Sequence, residues 1–241
     1  MAFKVCGKGG FLKLAADLIF PPRCPVCGEV VPIGDGICAE CRDKLSRSLT
    51  GEKLCRVCGK PEKSCICREI TPRFECCVSA FIYDDSTSAM MIELKNRQSQ
   101  DVTAAIAKAM AEAFKRAGFS AGDFAFITEV PMNRQRISKG RVNHAHELAL
   151  VLSEILGIAY CSPPIEQSIN YLPQHLLNRG ERSQNAQNGY SAKTGIMLSG
   201  SALLVDDIVT TGATLERCTE ILLQCGADRV VCLTAATTPL Q

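Results

Sequence analysis

From Phe74 onward, short apolar runs alternate with longer stretches in which apolar residues recur every three to four positions. Val78–Tyr83, Phe124–Val130, Ala202–Val205 and Arg229–Thr234 read as strands. Ser86–Lys95, Val102–Ala117, Val142–Leu156 and Leu215–Cys225 read as helices, three of them followed by a glycine stop at Gly118, Gly157 and Gly226. Strands separated by crossover helices predict an α/β fold with a central parallel sheet flanked by helices, its ligand at the carboxyl ends of the strands. Before Phe74 the periodicity fails and close cysteine pairs replace it. Three parts follow: an N-terminal amphipathic helix in 1–20, a small cysteine-rich zinc-binding module in 21–72, and the large domain in 73–241.

Composition narrows the function classes. With 241 residues, 46% hydrophobic and 22% charged, the chain is globular and holds one α/β domain plus a small module. No apolar run approaches the ~20 residues that span a bilayer, so no membrane span is expected. Phe11–Phe20 carries two charges and no small-residue cleavage site, which argues against a secretory signal and for a cytoplasmic protein. A net charge of +2 is too small to argue for nucleic acid, and 5% aromatics with no Trp offer few stacking platforms.

Fifteen cysteines in such a chain read as metal ligands and core thiols. Eight form four pairs: Cys24/Cys27, Cys38/Cys41, Cys55/Cys58 and Cys65/Cys67. Cys24-Pro25-Val26-Cys27-Gly28 and Cys55-Arg56-Val57-Cys58-Gly59 have the form of zinc knuckles, in which two thiolates curl onto one ion. Four thiolates per ion with no open position mean structural Zn²⁺, and eight mean two ions. The pairs can group sequentially, which lets a small unit close around each metal, or interleave in a cross-braced arrangement. Redox-active dithiols would suit a lone Cys-x-x-Cys better. Cys218, Cys225 and Cys232 sit in apolar, periodic context and read as packing thiols. Apolar residues are sparse around the ligand pairs, so chelation is expected to unfold residues ~21–70 and leave the rest folded.

The run from Leu203 to Thr214 carries the chemistry. An apolar strand ends in Asp206 and Asp207, a Thr- and Gly-rich loop follows, and then a helix starts. That order aims a helix N-terminus and several backbone N–H groups at one place, which suits a phosphate. Thr210, Thr211 and Thr214 add hydroxyls, and Gly212 with Ala213 allows close approach of the backbone. Two aspartates would repel that anion, so they suit hydroxyl groups or a divalent cation beside it. A sugar phosphate is the simplest ligand. Taken whole, the run resembles the phosphoribosyl-pyrophosphate signature of the type I phosphoribosyltransferases. At another strand end, Pro131 releases a loop with Arg134 and Arg136, whose guanidinium forks match phosphate oxygens.

With Phe20-Pro21-Pro22-Arg23-Cys24-Pro25-Val26-Cys27, Val130-Pro131, Asn143, Ala145, Leu148-Ala149, Gln174, Leu177, Arg182, Asn185 and Tyr190, nearly the whole chain resembles the ComF family (ComFC or GntX-like proteins). These join a zinc module to a type I phosphoribosyltransferase domain. The resemblance implies ribose contacts for Asp206 and Asp207, a 5′-phosphate site at Thr210–Thr214, and a pyrophosphate loop at Pro131–Arg136. It also implies Mg²⁺ with phosphoribosyl pyrophosphate, and an accessory role in DNA uptake during natural transformation, with single-stranded DNA and the uptake machinery as partners. The chain departs from the family where it shows Gly140-Arg141-Val142-Asn143-His144, and where Gln167, Ile169 and Tyr171 replace basic and Thr residues before Gln174. Fewer cations then face the leaving pyrophosphate, which favours ligand binding over turnover. An active phosphoribosyltransferase of nucleotide metabolism, transferring ribose 5-phosphate to a nitrogen nucleophile, is the alternative. His144 and His175 are the histidines considered as its base, though both read better as surface or packing residues. A purely structural zinc adaptor is a third reading.

Overall fold

Strand and helix alternate through the large domain of the computed structural model: β1 (Cys77–Ile82), α1 (Asp85–Arg97), α2 (Gln100–Arg116), β2 (Phe126–Glu129), α3 (Arg134–Ser138), α4 (His144–Leu156), β3 (Ile165–Gln167), β4 (Tyr190–Ala192), β5 (Ala202–Val209), α5 (Ala213–Gln224) and β6 (Val230–Thr237). The structure describes residues 21–43, 55–67, 71–97, 100–168 and 188–238, apart from 25, 34, 36, 56, 61 and 66. The N-terminal helix expected in 1–20, and Ile169, Tyr171, Gln174, His175, Leu177, Arg182 and Asn185, lie outside the described residues.

The central sheet has four strands in the order β1-β6-β5-β2, every neighbouring pair parallel. Both faces are covered, which is why its strands read as nearly unbroken apolar runs. Along β5, Leu203 and Val205 pack toward α1, α2 and α4, while Ala202 and Leu204 pack toward α5. α2 buries Val102, Ile106, Met110 and Phe114, a stripe at i+4 spacing, with Asp101 in its first turn and Lys115 and Arg116 in its last. α4 stops at Gly157 in the left-handed conformation, whose N–H donates to the Ser153 carbonyl. Cys218, Cys225 and Cys232 are buried packing thiols, as expected.

Three expectations about the elements change. The stretch after Pro131, expected as a loop with Arg134 and Arg136, places both arginines in the short helix α3, because the Asn133 side chain caps its first turn. β5 does not end at Val205 but continues through Asp206 and Asp207 to Val209, because β6 is equally long and pairs with it from Ala202↔Val230 to Val209↔Thr237. The acid pair therefore sits inside a strand. Between α4 and β5 a small antiparallel sheet of β3 and β4 was not anticipated, since each strand is only three residues long.

The cysteine module is built onto the sheet domain. Cys24, Val31, Ile37 and Cys41 belong to the same buried core as residues of α1, α2 and α4. On β1, the Cys77 N–H donates to the Val57 carbonyl at 2.7 Å. At the opposite edge, β2 is flanked by 159–161: the Ile127 N–H donates to Ala159 O, and the Cys161 N–H to Ile127 O, both at 2.9 Å.

Gly59 lies where ribbon and β1 touch. Its φ is +67°, and a Cβ there would stand 2.3 Å from the Cys77 carbonyl oxygen. Gly28, at the corresponding place in the first knuckle, has φ +77° and open space around it. Gly28→Ala should therefore cost only the left-handed strain of about 1–2 kcal/mol. Gly59→Ala should cost more, about 3 kcal/mol with the backbone clash added. Denaturant unfolding of the two zinc-loaded variants checks the order; equal losses would mean the ribbon does not press on β1 there.

Candidate functional site

Sequential grouping is the arrangement that the thiols adopt. The Sγ atoms of Cys24, Cys27, Cys38 and Cys41 lie within 4.8 Å of one another, and so do those of Cys55, Cys58, Cys65 and Cys67. Cys27 and Cys38 sulfurs are 3.6 Å apart, and Cys58 and Cys65 sulfurs 3.7 Å. A tetrahedron with Zn–S near 2.3 Å has an edge of about 3.8 Å, so each cluster fits one Zn²⁺ with all four ligands supplied by protein. Amides turn toward the sulfurs: Cys41 N–H donates to Cys38 Sγ and Cys67 N–H to Cys65 Sγ, both at 3.4 Å. Burial pushes the Cys24 thiol up, but hydrogen bonds from the backbone of Cys38, Cys27 and Val26 outweigh it and bring the group to about 7. Cys55 reaches about 7 in the same way, through the amides of Cys58 and Val57. Burial and then the neighbouring thiols push Cys41 and Cys67 up. Four sulfurs this close cannot all ionise without a cation between them, and Zn²⁺ supplies it.

A second site lies at the end of β5. A shallow, open concavity is lined by Asp206 and by the stretch from Ile208 through Thr210, Thr211, Gly212, Ala213 and Thr214 to Leu215. Gly212 precedes α5 with φ +83°, a left-handed turn that swings the chain from strand into helix without a side-chain cap. Thr211 Oγ1 accepts from the Ala213 N–H at 3.3 Å. The first turn of α5 thus opens on the concavity, with amides and threonine hydroxyls around it. Asp206 Oδ1 accepts from the Asp207 N–H at 2.9 Å, and Asp207 Oδ1 from the Ile208 N–H at 2.7 Å. Asp207, next along the strand, lies outside the lining.

The arginine loop leaves the sheet beside this site. Val130 N–H donates to Val205 O at 2.9 Å, so Val130 is set beside Asp206 and Pro131 follows one residue on. Asn133 caps α3 by accepting the Arg136 N–H at 2.9 Å, which presents Arg134 exposed and Arg136 half-buried. Asn133 is itself held from below. Its N–H donates to Gln167 Oε1 at 3.1 Å, Gln167 Nε2 donates to the Tyr190 hydroxyl at 2.7 Å, and Arg217 of α5 donates to Tyr190 O at 3.3 Å (Nε) and 3.1 Å (second guanidinium nitrogen). This chain of bonds ties the arginine loop to the helix that starts at Gly212. Gln167, noted in the sequence only as a lost cation, is a buried bracket.

Below the arginine loop, Glu129 is buried at the end of β2. Its Oε1 accepts from the Tyr160 hydroxyl at 3.2 Å and sits 3.1 Å from His146 Nδ1. Burial holds the Glu129 carboxyl above the usual carboxylate range, against the lowering pull of His146 and Tyr160. Glu129, His146, Gln167 as a bracket, and Lys60 were not found from sequence. Glu129 lies in a short strand whose apolar neighbours hide it, and Lys60 looks like any surface lysine.

Residues 15–77 match the family described as double zinc ribbon domain. Over 223 residues the chain is 26% identical to the DNA utilization protein YhgH of Salmonella typhimurium, spanning 88% of this chain and 96% of that protein. Identity to the protein of the same name from Escherichia coli K12 is 25% over the same span. Both agree with the ComF-like resemblance. Among solved structures, the orotate phosphoribosyltransferase of Aeropyrum pernix aligns with 65% of this chain and 84% of its own at 12% identity and TM-score 0.33. Trypanosoma cruzi hypoxanthine phosphoribosyltransferase aligns with 57% and 72% at 16% identity and TM-score 0.32. No helix among the described residues is long and apolar enough to cross a membrane.

Two measurements follow from this geometry. Elemental analysis should find two zinc ions per chain, and complete chelation should lower the thermal midpoint of the sheet domain as well, since Val31 and Ile37 are part of its core. An unchanged midpoint would mean that the ribbons are independent. For Glu129, a raised folded pKa means stability present at low pH and lost as pH rises through that value. Glu129→Gln, which carries no such charge, should gain stability relative to the native chain as pH rises past the ordinary carboxylate range, read as the difference in denaturant midpoints. A difference that does not move with pH would mean that Glu129 is not strained by its burial.

Proposed function

We propose that this ComF-like chain binds phosphoribosyl pyrophosphate with Mg²⁺ at the end of β5. It then serves as a cytoplasmic accessory factor in DNA uptake, with single-stranded DNA and proteins of the uptake machinery as partners. The observation that carries the reading is the left-handed Gly212 turn, which opens the first turn of α5 onto a concavity bordered by Asp206. The 5′-phosphate would accept from the amides and hydroxyls of Thr210 to Thr214. Asp206 and Asp207 are read as the groups that meet the ribose hydroxyls, where carboxylates are good acceptors and also suit a hard cation. Arg134 and Arg136 would face the pyrophosphate from the neighbouring strand end, and Pro131 sets the start of their loop. The DNA-linked half rests on the relatives, whose printed name is DNA utilization protein.

The same arginines support the second reading, a working phosphoribosyltransferase. In that reaction the C1–oxygen bond to pyrophosphate breaks, a nitrogen nucleophile bonds to C1, and positive groups take up the charge on the leaving pyrophosphate.

Calorimetry with Mg²⁺ and phosphoribosyl pyrophosphate should show one site per chain. Gly212→Val should weaken it by tenfold or more, because φ +83° is closed to a β-branched residue and the loop must rebuild. Asp206→Asn should weaken it severalfold. Neither heat nor thermal shift with the native chain would leave the zinc adaptor. A panel of bases should release no pyrophosphate above the enzyme-free rate; turnover abolished in Asp207→Asn would establish the transferase instead.

A further inference from the structure

Lys60 is 1% exposed, although it follows a zinc knuckle directly. Its ammonium donates to the backbone carbonyls of Thr210 and, at 3.0 Å, Thr238. These carbonyls lie just beyond the paired ends of β5 and β6. Burying an ammonium group costs several kcal/mol unless the geometry offsets it, so the placement needs a reason.

The knuckle itself does not provide one. In the second ribbon, Cys55 N–H donates to Lys60 O at 2.7 Å and Gly59 N–H to Cys55 O at 2.9 Å. In the first ribbon, Cys24 N–H donates to Glu29 O at 2.7 Å and Gly28 N–H to Cys24 O at 2.8 Å. The two knuckles close through the same pair of backbone bonds, and Glu29, at the position equivalent to Lys60, is exposed. The side chain at this position is not needed for the metal fold. In the second ribbon it does something else.

What it touches is the first peptide of the candidate phosphate loop. No described peptide bond is cis, so the Thr210 carbonyl and the Thr211 N–H lie in one plane and point in opposite directions within it. With its carbonyl drawn to Lys60, that peptide turns the Thr211 amide away from the ribbon. Lys60 is not among the residues lining the concavity, whereas Thr210 and Thr211 are. The lysine therefore acts from behind the loop.

We propose that Lys60 is a positioning residue that sets the Thr210–Thr211 peptide for anion binding, and that the zinc site at Cys55, Cys58, Cys65 and Cys67 thereby controls the affinity of the loop for a phosphorylated sugar. This rests on the reading of the β5 end as a phosphate site. Coupling between two sites is reciprocal, so a bound ligand must tighten this zinc by the same factor by which this zinc tightens the ligand. The first zinc, closed by the exposed Glu29, takes no part.

Two experiments test this, with Mg²⁺-phosphoribosyl pyrophosphate as the probe. In calorimetry, Lys60→Met should keep two zinc ions per chain yet bind at least tenfold more weakly, Lys60→Arg should recover part of the loss, and Glu29→Met should bind like the native chain. In the native chain, zinc release to a chromophoric chelator should be slowed severalfold by the probe for one of the two ions. Native binding with unaltered affinity in Lys60→Met overturns the proposal. If Lys60→Met does not fold, the release experiment decides: two ions slowed equally, or neither, overturns it as well. Absence of probe binding to the native chain would instead bring down the phosphate-site reading beneath it.

Discussion

The pairing of β5 with β6 is the constraint on which the site depends. Eight residues of each strand run in register from Ala202↔Val230 to Val209↔Thr237, β6 buried throughout and β5 buried except at the half-buried Asp206, Asp207 and Ile208. Where that ladder stops, the chain is released into the Thr210–Gly212 turn and α5. The Thr238 N–H still donates to Val209 O at 2.9 Å, so the two strand ends are held together to the last residue before the turn. A buried parallel pair of this length leaves little freedom for the point at which the loop begins, and a loop that begins at a fixed point can present its amides without first being ordered by a ligand.

The parts that could be read from the residues alone are those in which local and global preferences agree. Apolar runs, glycine stops and i+4 stripes pointed to the parallel sheet and its helices. The cysteine spacings pointed to two ions, and Gly212 among threonines pointed to the loop. The extent of β5 escaped because two carboxylates look like the end of a strand, and only the length of its partner shows otherwise. β3 and β4 escaped because three residues carry no usable period. Lys60, Gln167 and Glu129 escaped for a common reason: a polar residue is buried only when a distant segment supplies its partner, and those partners lie up to 178 positions away.

The ribbons are more than an attached module. Cys24, Val31, Ile37 and Cys41 share the core that α1, α2 and α4 cover, while the second ribbon meets β1 through Val57 and Gly59 and reaches the Thr210–Thr214 loop through Lys60. A chain with few apolar residues around its ligands gains stability by sharing the core of its neighbour, and the neighbour gains a rigid wall made by metal coordination.

The hydrogen bond from Cys77 to Val57 gives the second ribbon one more part to play. β1 is an outermost strand, and such strands recruit other chains when nothing lies against them. Losing the zinc that shapes the second ribbon would free the Cys77 amide on this flank, where the strand of another chain could pair instead.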